Sequence, residues 1–435
     1  MYLSLIVSFI LFIGLYLLKR KKVKFGTRVL LGMILGVGLG VVFGKDAGYI
    51  APVGTIYANL IVMLVVPLVV PTVISSITAI ESPGKLKNIG VKTVAWLLGT
   101  TAVACVIGIV VAVVMDPGSG IQFAKDASYK ARNIPNFSNI ILDMVPKNVI
   151  SEMAEAKIIP VLVFSILIGV AITLEGEKNP EIVKPVKKFF DSFKVIMFRI
   201  TDMVLELTPY GVLALLASTS AKYGASTLIP LLKVVIAVYI ACIIQVVFVH
   251  GGLIAFVAKI NPIRFFKGIY PAQVVAFTTR SSYGTLPVTI KSLTENIKIS
   301  DNIASFSAPL GATMGMNGCG GLYPAIAAIF VARIFNIPMS FSTYILLIVV
   351  TTIASIGTAG VPGTASIMAT VVFTALGLPI EGLGIIFGVD AIMDMARTLT
   401  NVTGASVVSV LVANSEGEFD REAFNAKYDK KKVLS

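Results

Sequence analysis

Apolar runs long enough to cross a bilayer recur along most of this chain, separated by short polar breaks. A spanning helix needs roughly 20 apolar residues. Such segments lie at about 28–44, 54–80, 89–115, 157–174, 192–219, 226–258, 302–335, 343–377 and 381–412, after an apolar stretch at 2–18. Several are too long for one upright span, which predicts tilt, kinks or re-entrant turns. Two regions break the pattern in the same way. At about 263–293 an apolar arm from Phe265 to Phe277 meets a polar tip, Thr278 to Ser282, and returns through Leu286 to Ile290. At about 343–377 an apolar arm meets the tip Ser355-Ile356-Gly357-Thr358-Ala359-Gly360-Val361-Pro362-Gly363, and a second apolar arm follows. Each arm is shorter than a bilayer crossing, so the pattern predicts two helical hairpins. The alternative is a pair of kinked spanning helices, because Gly and Pro are common in membrane helices. Both tips carry a Ser-x-Gly-Thr core, and paired interrupted segments of this kind point to a transporter site at the membrane midplane. Such breaks must be buried in protein or line a cavity, since lipid satisfies no backbone N–H or C=O.

Composition agrees with a membrane protein. Of 435 residues 56% are hydrophobic and 14% charged, against about a quarter charged in soluble domains. The net charge of +13 comes from basic residues gathered at the ends of apolar runs. The positive-inside rule accounts for them without a nucleic-acid partner. Lys19-Arg20-Lys21-Lys22 follow the first apolar stretch, the reverse of a signal peptide. This predicts a retained helix with its N-terminus outside and the basic cluster in the cytoplasm. Lys85, Lys87, Lys92 and the charged tail at 413–435 share that side, and 116–136 forms an outside loop. Cys105, Cys242 and Cys319 show no metal or disulfide spacing. His250 is the single histidine, which argues against a histidine-based metal site or a catalytic dyad.

Asp390, Asp394, Arg397 and Asn401 recur at helical spacing and fall within an arc of roughly 60°, with Thr398 at its edge. Most neighbouring positions are apolar. A charge at mid-bilayer costs about 2.5–3.5 kcal/mol on insertion scales, so the stripe faces an interior cavity. Carboxylates hold an ammonium group, and a guanidinium takes a carboxylate in a bidentate fork. The stripe therefore suits a zwitterion with a further acid group. The competing reading is an internal Asp394–Arg397 bridge that only ties helices together. Gly311 to Gly321 interrupts another apolar run. Unwound backbone there offers carbonyl oxygens to a hard cation such as sodium, with the Thr313 hydroxyl and Asn317 amide adding oxygens. Close helix packing through small residues is the plainer alternative.

At these residues the chain resembles the dicarboxylate/amino acid:cation symporter family, which includes the glutamate transporters. Arg280-Ser281-Ser282, Ser355 to Gly363, and Asp390, Asp394, Arg397, Thr398 and Asn401 carry the likeness, which covers about 26–412. The resemblance implies an all-α membrane protein with the glutamate-transporter-like fold: eight transmembrane helices and two re-entrant hairpins, here with one extra N-terminal helix at 1–20. It implies a scaffold or trimerisation domain at 26–87 and 137–222. The transport domain would occupy 88–116 and 226–412, within a homotrimer that works as an elevator in the plasma (inner) membrane. It implies a transporter, not an enzyme, with no catalytic residues. Carried over, Asp394 binds the substrate amino group and Arg397 the distal carboxylate. Ser282, Val361, Gly363, Thr398 and Asn401 bind or close over the α-carboxylate. Thr313, Met316, Asn317, Ser355, Ile356 and Thr358 are the cation set, for sodium. Arg280, Asp390, Thr100 and Thr101 support these groups.

Departures from the family pattern matter as well. The family's Asn-Met-Asp-Gly-Thr stands here as Gly315-Met316-Asn317-Gly318-Cys319, and Ala405 replaces a further acidic sodium ligand. Fewer acidic ligands lower cation affinity. The expectation is fewer coupled cations than in glutamate transporters, with one sodium the simplest count and proton coupling through Asp390 or Asp394 open. The extra helix and Asn317 to Pro324 resemble the L-cystine uptake branch, so L-cystine is the expected substrate. Alternatives are aspartate, glutamate or a dicarboxylate, or an anion channel lined by Arg280 and Arg397. An intramembrane aspartyl protease needs facing aspartates on two helices, whereas Asp390 and Asp394 share one.

Overall fold

The computed structural model describes residues 2–23, 25–78, 85–119, 145–155, 158–223, 228–357, 360, 363–387 and 389–429. Of the sequence expectations, Thr358, Val361 and most of the 116–136 loop lie outside these residues. The described chain is helical, with one isolated bridge between Ile299 and Phe419 and no strand.

The elements run α1 (Tyr2–Arg20), α2 (Phe25–Phe43), a 3-10 turn (Gly44–Ile50), α3 (Ala51–Met63), α4 (Val65–Thr78) and α5 (Lys85–Met115). Next come α6 (Val149–Ala154), α7 (Ile158–Lys178), α8 (Pro180–Leu205), α9 (Thr208–Tyr223) and α10 (Leu228–Ile244). The path of α10 continues through π-helical turns at Gln245–His250 and Leu253–Val257. The C-terminal part holds α11 (Pro262–Thr279), α12 (Ser282–Lys291), α13 (Asp301–Gly311), a π-helical turn (Asn317–Leu322) and α14 (Tyr323–Ile334). It ends with α15 (Phe341–Ala354), α16 (Thr364–Leu376), α17 (Glu381–Ile386), α18 (Asp390–Glu416) and α19 (Arg421–Asp429).

Among the described residues six helices are long and apolar enough to cross a membrane, or seven if α8 and α9, bent by 51°, form one broken span. The sequence pattern differs from this in three places, one being the run expected at 381–412, which is divided into α17 and α18. The gap expected between 28–44 and 54–80 is helical, because the path continues unbroken over Thr27–Tyr57, and the break falls at Leu64, between α3 and α4. The run expected at 192–219 is interrupted before Thr208; Pro209 has no N–H to donate and belongs in a first helical turn.

The predicted hairpin regions each become two short helices. In the first, α11 packs against α12. Asn261 caps α11 by accepting from the Ile263 and Arg264 amides, with Pro262 in the first turn where its missing N–H costs nothing. Arg280 ends that helix in the left-handed conformation, φ 57°, and Ser281 caps α12 by accepting from Gly284 N. In the second, α15 packs against α16. Ser340 caps α15, and Gly363, φ 83°, precedes α16.

Two packing groups surround the polar centre. The first joins α9 to α2, the 3-10 turn and α3. The second joins α18 to α5, α10, α11 and α13. In the first, Gly32, Gly36 and Gly40 lie at four-residue spacing, where a Cβ would meet Pro209 O, Leu213 O and Ala217 O of α9. Small residues here let two helix backbones touch. The α1 helix lies against α2 and ties to the 3-10 turn through Ser4 Oγ donating to Asp46 O at 2.7 Å. It leaves Leu3, Ile6, Phe9 and Ile10 exposed, a face that suits lipid.

Gly36→Val is expected to destabilise by about 1–3 kcal/mol, the usual cost of overpacking a close contact. A lower thermal unfolding midpoint of the detergent-purified protein checks it; an unchanged midpoint would mean α2 and α9 do not pack this closely.

Candidate functional site

The α18 helix brings its charged residues to one point. Arg397 has no exposed surface, and Asp390 is 13% exposed. Arg397 Nη2 donates to Asp390 Oδ1 at 2.8 Å and to Asp394 Oδ1 at 3.2 Å. The guanidinium also lies over the Tyr323 ring, 4.1 Å from its centroid, a favourable contact for a desolvated cation. One nitrogen thus serves both carboxylates. Arg397 Nε and Nη1 and Asp394 Oδ2 are buried without a hydrogen-bond partner among the described residues. Unspent donors and an unspent acceptor side by side are what a ligand carrying both charges requires. Thr398 is buried on the same helix.

The hairpin tips meet at Gly360. Its carbonyl accepts from Tyr283 N at 3.0 Å and from Ser281 Oγ at 3.2 Å. A Cβ at Gly360 would sit 2.5 Å from Ala312 O and 2.9 Å from Ser282 Cβ, so only glycine allows this crossing. Ser282 is buried beneath it. A cavity of about 500 Å³ is bounded by Arg280, Gly363, Ser366 and Asp390 on one side and by Phe25 and Arg199 on the other. Arg280 stacks over Phe25 at 5.2 Å. Asp390 is where this cavity meets the Arg397 cluster, with Asp394, Arg397, Thr398 and Asn401 buried behind it.

The broken stretch between α13 and α14 is held by side chains. Gly315 N donates to Ser355 O at 3.1 Å, which brings the second tip against Thr313 to Met316. Thr313 Oγ1 donates to Leu310 O at 2.8 Å, and Ser355 Oγ to Thr352 O at 2.6 Å. Ile356 lies in the short 3-10 turn Ser355–Gly357. Asn401 faces the opposite side of the stretch. Its Oδ1 accepts from Gly318 N at 2.7 Å and Cys319 N at 3.3 Å, and its Nδ2 lies 3.0 Å from Cys319 Sγ and 3.5 Å from Met316 Sδ. Here Asn401 satisfies backbone amides that a regular helix would have paired. A Cβ at Gly318 would run into the Arg397 carbonyl, so this turn packs directly on the charged helix.

Thr100 and Thr101 belong to another cluster, together with Asn317. Asn317 Nδ2 donates to Thr100 Oγ1 at 3.1 Å and Thr101 Oγ1 at 3.0 Å. Asn317 Oδ1 lies 2.7 Å from His250 Nε2. The sequence reading gave no site role to His250, Gln245, Tyr323 or Cys319. Gln245 and His250 are five residues apart, which places them on different faces of an α-helix. The i→i+5 bonding of a π turn changes that register, and no α-helical periodicity reveals it. Tyr323 and Cys319 are ordinary in an apolar segment until α14 is seen against Arg397.

A family model for the sodium:dicarboxylate symporter family matches residues 25–415. The chain belongs to that family. It is 32% identical over 414 residues to a proton/sodium-glutamate symport protein of Geobacillus stearothermophilus, covering 92% of this chain and 97% of that one. It is 34% identical over 434 residues to an uncharacterized symporter of Haemophilus influenzae, covering 94% and 98%. An L-cystine uptake protein of Bacillus anthracis is 32% identical over 436 residues, covering 94% of each chain. The family is one of multi-pass membrane symporters, which agrees with the apolar helices and sets enzymatic readings aside. The α1 helix lies outside the matched family region.

Asn401→Leu is expected to cost about 1–3 kcal/mol, because Gly318 N is left buried without an acceptor. It is expected also to make the Cys319 thiol reactive to a maleimide. Unchanged stability and labelling would show that Asn401 does not hold this turn.

Proposed function

We propose that the chain imports an amino acid, L-cystine before others, by sodium symport. The observation that carries this reading is the Asp394–Arg397 pair with its unspent atoms, Asp394 Oδ2 and Arg397 Nε and Nη1. Asp394 takes the substrate ammonium and Arg397 a carboxylate at the far end. Ser282, Val361, Gly363 and Thr398 close around the α-carboxylate. Asn401 joins them by releasing the Gly318 and Cys319 amides, or acts only by shaping that turn. Thr313, Ser355, Ile356 and Thr358 supply oxygens for one sodium, with Met316 beside them. The likeness to L-cystine uptake proteins supports L-cystine over aspartate; Gly318 and Gly321 add no space for it, because they pack against Arg397 and Ala104. A glutamate or aspartate symporter is the second reading. It is favoured by the printed function of the Geobacillus relative and by a charge pair that suits either ligand.

The two packing groups support a scaffold at 26–87 and 137–222 and a transport domain at 88–116 and 226–412, moving as an elevator within a homotrimer. The cavity between them adjoins Phe25, just past the basic cluster at Lys19–Lys22. With that cluster cytoplasmic by the positive-inside rule, the cavity opens inward, the arrangement from which substrate is released.

The test is labelled L-cystine uptake into proteoliposomes, with an inward sodium gradient or with choline in its place, and with unlabelled aspartate as competitor. Sodium-driven accumulation resistant to aspartate is expected. Aspartate uptake without cystine uptake would favour the second reading, and uptake indifferent to sodium would remove sodium as the coupled ion. Arg397→Ala is expected to weaken cystine binding roughly 10- to 100-fold, from the loss of a charge-assisted contact of about 1.5–3 kcal/mol. Unchanged affinity would sink the role given to Arg397.

A further inference from the structure

Asn317 sits among hard, neutral oxygens of the kind that hold a small cation. Thr100 Oγ1, Thr101 Oγ1 and Gly315 O lie 3.1, 3.0 and 3.4 Å from its Nδ2. The hydroxyl hydrogens of both threonines are already committed. Thr100 Oγ1 donates to Trp96 O and Leu97 O, and Thr101 Oγ1 donates to Leu97 O at 2.8 Å. Both hydroxyl oxygens therefore only accept, as a carbonyl does. The group facing them must be the amide NH2, which fixes the orientation of Asn317. Its Oδ1 then needs a donor, so His250 Nε2 at 2.7 Å carries the proton, and Gln245 Nε2, 3.3 Å from the same nitrogen, does not donate to it. A fourth oxygen, Thr100 O, accepts from Gln245 Nε2 at 3.3 Å. The geometry leaves no freedom on the remaining side, because a Cβ at Gly404 would lie 2.5 Å from Asn317 Oδ1 and 3.2 Å from His250 Nε2.

From this we infer that the Asn317 NH2 group is a built-in substitute for a bound cation, and that His250 is the positioning residue that aims it. The two N–H bonds of the amide present partial positive charge to the oxygens a sodium ion would otherwise bind. They do so without a net charge that must be loaded and released in each cycle. The same stretch continues into Gly318, which is held by Asn401 and packed against Arg397. A permanently filled position next to the substrate helix removes one ion from the transport cycle while keeping its structural effect. The π-helical turn at Gln245–His250 is what brings both side chains to this point, and π turns of this kind gather at functional sites. The inference rests on the reading of the chain as a cation-coupled symporter. Asn317, which the family resemblance groups with Thr313 and Ser355, bonds instead to Thr100, Thr101 and His250, and the inference concerns that cluster.

The test counts radiolabelled sodium bound at equilibrium to the detergent-purified full-length protein, with no substrate present. The double variant Asn317→Asp/His250→Gln offers a carboxylate to the same oxygens and removes the imidazole that would otherwise pair with it. It is expected to bind one Na+ more per chain than the wild type. No gain in a variant that still elutes as a single folded species would overturn the inference. So would the loss of one bound Na+ in Asn317→Ala, since that would make the wild-type position an ion site already. Wild-type protein that binds no sodium at all would count against the symport reading above. The difference between wild type and double variant would still decide this one.

Discussion

An arginine without exposed surface, inside a chain built to cross lipid, is the constraint on which the centre of this structure depends. Leaving such a charge unpaired in a low-dielectric interior costs several kcal/mol, and the surroundings of Arg397 are arranged to prevent it. Asp390 and Asp394 share one of its nitrogens, and the Tyr323 ring covers its face. Both carboxylates come from the same helix as the arginine, so helical spacing alone sets much of the cluster. Tyr323 comes from α14, and its position depends on the broken stretch before it. Among the described residues the pairing is incomplete, with Arg397 Nε and Nη1 and Asp394 Oδ2 left over.

Broken helices create a second demand. Wherever backbone leaves regular hydrogen bonding inside the membrane, other groups must take its N–H and C=O. The Gly318 and Cys319 amides go to Asn401, the Gly315 amide goes to the Ser355 carbonyl, and the Gly360 carbonyl takes a backbone and a side-chain donor from the first hairpin. Each of these bonds joins two parts of the site. A change at one break is therefore felt at the others through hydrogen bonds.

The hairpins show how far a pattern reading extends. Helix–tip–helix regions at about 263–293 and 343–377 were legible because their arms are too short to span and their tips are polar or glycine-rich. The caps, which the pattern reading did not use, carry a local signature as well: Asn261, Ser281 and Ser340 stand before their helices. The helix boundary before Thr208 was less visible, since apolar residues lie on both sides and only Pro209 marks the break. His250 was read only as the single histidine, too few for a histidine metal site or a catalytic dyad. In the fold it is wholly buried and contacts Asn317 from 67 positions away.

The order of residues was enough for the class of protein, the two helix–tip–helix regions and the charged stripe of the last long helix. These follow from local rules: apolar length, helical period, and the conformational needs of Gly, Pro and capping residues. Tertiary structure alone decided which groups meet across the breaks. It turned the Asn401 carbonyl toward backbone amides, set Tyr323 over Arg397, and aimed the Asn317 amide at Thr100 and Thr101 with His250 behind it. Those outcomes depend on the packing of elements far apart in the chain and on a π turn that shifts helical register, and neither leaves a periodic trace in the order of residues.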